Sequence, residues 1–107
     1  MNFKNTLSIA FLIISLSSCV ESLHVPNEND AALYNTSLDT LKMGRGLYIN
    51  KCSSCHNLFL PASHSKNDWL IILDKMQAHA LIDGSQKELI YKYLKTSAKT
   101  DSILQSM

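Results

Sequence analysis

A marked excess of charge of either sign is missing from this sequence. Ten lysines and arginines stand against nine aspartates and glutamates, a net of +1 over 107 residues. No basic face is announced, so nucleic acid is not an expected partner. Strand signals are missing too, because no stretch alternates long enough to build one. There is no internal repeat and no phosphate-binding glycine loop. The apolar run at residues 7–16, LSIAFLIISL, is ten residues long, whereas crossing a bilayer takes about 20. These absences leave one small all-α domain.

That short run sits after Lys4, which fits the h-region of an export signal. Leu16-Ser17-Ser18-Cys19 follows: an aliphatic residue, two small ones and a cysteine. The order resembles a bacterial lipobox, which implies a signal peptide over 1–18 and a lipidated Cys19 as the mature N-terminus. The competing reading is an ordinary signal peptide with a chance cysteine. Lipidation would settle the cysteine arithmetic: of three cysteines, Cys52 and Cys55 then remain as a pair. Each buried acyl CH₂ contributes about 0.8 kcal/mol, and more than one chain gives stable anchoring. The expected location is therefore a bacterial membrane, on the periplasmic or exterior side.

Beyond Cys19 the residues 19–37 show no sustained period and read as a flexible tether, with Pro26 opposing a helix through its middle and His24 solvated. A domain over 38–98 follows. Its first helix is expected at about 38–51, capped by Ser37 or Asp39, with Leu41, Gly44, Tyr48 and Cys52 on one face. Gly44, on that apolar face, predicts a close helix–helix contact that a Cβ would block. A second helix is expected at about 68–78, with Ser65 or Asn67 as its cap. Trp69, Ile72, Leu73, Met76 and Ala80 form its apolar stripe. The chain then breaks at Gly84. Ser85 and Glu88 have the S-x-x-E spacing of a capping box. They open a last helix whose inner face carries Leu89, Ile90, Tyr93, Leu94 and Ser97. Residues 99–107 read as a disordered tail.

The chemistry concentrates in Cys52-Ser53-Ser54-Cys55-His56. C-x-x-C-H is the attachment signature of c-type haem. Two thiols with two residues between them reach the two vinyl groups of one porphyrin, and the adjacent imidazole meets the iron from the same side. A zinc site would need two further ligands, and His64 and His79 form no familiar pattern with these. A redox dithiol of the thioredoxin kind would need strands. A structural disulfide this short would close only a small loop and stabilise little. One covalently attached haem c is the cofactor the residues predict.

From here the chain resembles the class I cytochrome c family, over about residues 40–98, as a bacterial monohaem lipoprotein member. GRGLYINKCSSCHNL is similar to the family's first helix, with Gly44 eight residues before the first haem cysteine and Tyr48 four before it. ELIYKYLK resembles the closing helix that crosses the first at the glycine, with Tyr93 and Leu94 as the Tyr-Leu pair. The resemblance implies a small bundle of three main helices around the haem, with Cys52 and Cys55 as thioether sites and His56 as proximal ligand. A proline carbonyl holds that histidine in the family, and Pro61 is the candidate here. Trp69 would pack the haem pocket. Met76 is the expected sixth ligand and His79 the alternative, or the site is open. Both positions fit one turn of helix, so spacing does not choose. The family's larger members have a longer segment before the methionine than the twenty residues from His56 to Met76, which implies a more exposed haem edge.

The implied function is single-electron transfer between redox partner proteins at the membrane. The chain is not expected to be an enzyme or to take a small-molecule substrate. The rival reading is a gas-binding or sensing haem domain with a labile or open sixth site.

Overall fold

The computed structural model describes residues 22–53 and 57–100. Along them run α1 (Glu28–Leu33), α2 (Leu38–Cys52), a 3-10 turn (Pro61–Ser63), α3 (Lys66–Met76) and α4 (Gly84–Leu94). Among the described residues, β structure is limited to one isolated bridge between Ser65 and Lys99, so the fold is all-α. No helix among them is long and apolar enough to cross a membrane.

The core forms where α2 and α4 cross. Leu41, Gly44 and Tyr48 are buried on α2, at the spacing the sequence predicts. Ile90, Tyr93 and Leu94 oppose them from α4. A Cβ on Gly44 would overlap the backbone carbonyl of Leu89 and lie 2.9 Å from the Cβ of Tyr93. Only glycine allows that approach. Gly46, two residues on, has nothing within 4 Å of the same position. Trp69 and Leu73 of α3 close the core from the side, and each fully buried apolar side chain contributes about 1.5–3 kcal/mol.

Ser37 and Ser65 cap α2 and α3 by accepting the backbone N–H groups of Thr40 and Asp68, both at 3.1 Å. The last helix starts differently from expectation. Asp83, not Ser85, is its N-cap: it accepts the Gln86 N–H at 2.8 Å, and the Gln86 side chain accepts the Asp83 N–H at 3.1 Å. The break before it falls at Leu81 rather than Gly84. Leu81 has φ 55, in the left-handed region. Its N–H donates to the Ala78 carbonyl at 3.3 Å, and the Ile82 N–H donates to the Gln77 carbonyl at 3.2 Å. This is a Schellman ending with leucine where glycine is usual.

The largest departure is at the N-terminal side. Residues 22–37 were expected to be a flexible tether, yet they lie on the domain. Pro26 and Ala31 are buried, and Leu23 packs against the core. The His24 carbonyl accepts hydrogen bonds from the Tyr93 hydroxyl (2.7 Å) and from Nε of Arg45 (3.1 Å). The His24 ring, expected in solvent, is half-buried and meets the Asp30 carboxylate at 2.8 Å. Asn27 and Asp30 form a capping box for α1. Pro26 lies just outside that helix, before its N-cap, and so does not interrupt it. At the other end, the Lys99 N–H donates to the His64 carbonyl at 3.1 Å, so Lys99 belongs to the fold rather than to a tail. The expected signal peptide, Cys19, and 101–107 of the tail lie outside the described residues.

Candidate functional site

Three segments converge on one apolar cavity of about 300 Å³. The end of α2 supplies Tyr48, Lys51 and Cys52, the loop after it Phe59 and His64, and α3 with its terminal turn Trp69, Ile72, Leu73, Met76 and Ala80. α2 turns Tyr48 and Cys52 the same way because they are four residues apart. The stripe on α3 does the same for Trp69, Ile72, Leu73 and Met76.

Two side chains stitch the loop to the helices. The Tyr48 hydroxyl donates to the Phe59 carbonyl at 2.6 Å. The Trp69 indole N–H donates to the Pro61 carbonyl at 2.8 Å. Both pairs satisfy polar groups that burial would otherwise leave costly. The rings then pack edge to face: Tyr48 on Trp69 at 6.0 Å, His64 on Trp69 at 4.9 Å and Phe59 on His64 at 5.6 Å between centroids. Tyr93 stands behind Tyr48, 6.2 Å away. Burial, reinforced by charge on neighbouring Cys52 and then Tyr93, pushes the Tyr48 phenol well above its ordinary value of 10.0. Burial also raises Tyr93, with Arg45 pulling the other way.

The expected site residues are distributed as follows. Cys52, Trp69 and Met76 lie in the cavity wall. Pro61 is buried behind it, and its carbonyl takes the Trp69 N–H; a carbonyl oxygen has a second lone pair available. Cys55 and His56 lie outside the described residues. His79 is exposed and is not in the wall. His64, in the loop after α2, is half-buried in the wall. Sequence reasoning also missed Phe59 and Lys51. Loop residues have no periodicity to betray them, and only the position of Lys51 beside Cys52 hinted at its place.

The donor set and the wall fit a porphyrin. The first cysteine of C-x-x-C-H opens onto an aromatic and aliphatic cavity, a thioether and an imidazole face into it, and Lys51 offers a cation to a carboxylate.

The family model described as dihaem cytochrome c matches residues 48–106, more than half of the chain. The match corrects the expected class I monohaem assignment while keeping the c-type character. The sequence holds a single C-x-x-C-H motif. The match begins at Tyr48, so α1 and the segment before it lie outside the matched residues. No curated protein and no solved structure matches the chain.

Proposed function

Because this chain belongs to the dihaem cytochrome c family, we propose that it is a lipid-anchored carrier of single electrons outside the cytoplasm, with one haem c joined to Cys52 and Cys55. Haem-based electron transfer is the activity the family supports. The observation that carries the finer reading is the apolar cavity onto which Cys52 opens. A haem there supplies a one-electron iron couple. The chain's own residues do the rest. Trp69, Ile72 and Leu73 exclude water, and Tyr48 and Trp69 fix the loop after the motif.

His56 and Met76 are the residues that would hold the haem iron, with His79 as the alternative to Met76. Met76 is favoured because it lies in the cavity wall, whereas His79, three residues on, is exposed. Two protein ligands leave no open iron position, so the chain transfers electrons to redox partners at the membrane and is not an enzyme. Cys19 is proposed as the lipidated residue, on the lipobox order of its neighbours.

The far-red charge-transfer band of methionine-bound ferric haem is the test. The oxidised protein is expected to show it. Met76→Ala is expected to remove it and to lower the potential by about 100 mV or more, within the ~0.8 V range that axial ligands command. A band and potential untouched by Met76→Ala would shift the assignment to His79. Rapid carbon monoxide binding by the reduced wild type would favour the gas-binding alternative. The number of haems is read separately, from haem per chain in the purified protein. One is expected. Two would show that a second haem, as in the family's description, is held without a second C-x-x-C-H motif.

A further inference from the structure

We propose that residues 22–37 act as a clasp that holds the haem domain directly on the phospholipid headgroups, in one fixed orientation. The proposal rests on the lipid anchor at Cys19. It departs from the picture of a domain swinging on a tether.

The clasp is attached at several points between Leu23 and Tyr34. Leu23 packs against the core. The His24 carbonyl is held by Tyr93 of α4 and Arg45 of α2, at 2.7 and 3.1 Å. The His24 ring meets Asp30 at 2.8 Å. Pro26 and Ala31 are buried. At its far end the Tyr34 ring takes two ammonium groups, Lys66 at 5.2 Å and Lys95 at 5.6 Å from the ring centre. Hydrogen bonds, apolar burial and cation–π contacts thus fasten the segment to three helices and to the chain after α4.

Chain length does the rest. Four Cα steps separate Cys19 from Leu23, a reach of about 14 Å at most. The acyl chains keep Cys19 at the level of the headgroups. Leu23 is part of the folded domain, so the domain can stand no farther off than that reach. A flexible segment of the same eighteen residues, 20–37, would have an r.m.s. span of about 21–25 Å and could extend to about 60 Å. On such a leash the domain would tumble. With the leash folded away, the surface around the start of the clasp lies against lipid. The haem cavity is coupled to that surface through two rings: Tyr93 binds the clasp, Tyr48 packs against Tyr93 at 6.2 Å, and Tyr48 lines the cavity. A fixed clasp therefore means a fixed haem plane.

The experiment is polarised absorption of the haem bands on oriented membrane multilayers. It uses the full chain, processed and matured in a host competent in cytochrome assembly, with the mass of Cys19 measured on the same sample. The wild type is expected to be acylated and to show clear dichroism. Inserting about twelve glycines and serines between Glu21 and Ser22 restores a leash. That variant is expected to stay membrane-bound, keep the same isotropic spectrum and lose most of the dichroism. Tyr93→Phe keeps the ring but removes one hold on the clasp, and is expected to weaken the dichroism. An acylated wild type whose dichroism is no greater than that of the insertion variant overturns the clasp and leaves the anchor standing. A Cys19 without acyl chains overturns the anchor, and the proposal with it.

Discussion

Leu81 shows how far a single residue can depart from its sequence signal. It is 83% exposed and sits in the left-handed region at φ 55, where a Cβ costs about 1–2 kcal/mol. Glycine would remove that cost, at the expense of a more flexible unfolded chain. Leu81→Gly is expected to stabilise the protein by about 0.5–1 kcal/mol, read as a higher melting temperature. No change, or a loss, would mean that the leucine makes a contact its exposure conceals. The two inner tyrosines lead to a second expectation. Burial raises both phenols above 10.0, so the folded state keeps protons that the unfolded state releases. Stability from this source is fully present below pH 10 and falls as pH rises beyond it. Chemical denaturation of the holoprotein at stepped alkaline pH should show the decline, and Tyr93→Phe should make it shallower. The histidines were the least legible residues. His79 drew attention as the alternative iron ligand within one turn of helix of Met76, yet it is exposed, while His64 reached the cavity wall through a loop that has no period to read.

Among the elements, α2 was the most legible. Its buried positions fall at three- and four-residue spacings, and Ser37 caps it. The glycine pair gives the sharpest element-level contrast. Gly44→Ala would drive a methyl group into the Leu89 carbonyl and force α2 and α4 apart. The expected cost is about 1–3 kcal/mol, despite the gain in helix propensity. Gly46→Ala meets nothing within 4 Å and is expected to stabilise by about 0.5–1 kcal/mol. Thermal melts of the two holoproteins should move in opposite directions; equal shifts would contradict the crossing. The start of α4 was misread because two capping patterns overlap there. Asp83-Gly84-Ser85-Gln86 competes with Ser85-Gln86-Lys87-Glu88. The Leu81 turn buries Ile82 and leaves Asp83 extended at φ −87, ψ 178, which decides for Asp83.

At the scale of the whole molecule, the apolar cavity of about 300 Å³ leaves its lining side chains without packing partners unless a ligand fills it. A domain this small commands only about 3–5 kcal/mol from its core. The double variant Cys52→Ala, Cys55→Ala is therefore expected to lose its cooperative thermal transition in near-ultraviolet circular dichroism. A sharp transition without haem would show that the cavity collapses without cost. The N-terminal clasp was not legible at this scale. Residues 20–37 are polar and aperiodic, and their partners are remote: His24 meets Arg45 at 21 positions' separation and Tyr93 at 69. Local pattern cannot report contacts of that range.

The α2–α4 crossing also sets an order of events. Gly44 and Leu89 are 45 positions apart, so the main helix contact waits until nearly the whole domain has been synthesised. Closing a loop of that length carries an entropy cost that only a well-packed crossing repays. Cys52 lies inside that loop. Until α4 docks, Tyr48 lacks the Tyr93 ring that packs against it, so the part of the cavity wall built on α2 gains its support last. The glycine that permits the close approach of α2 and α4 thereby works as a timer for assembly.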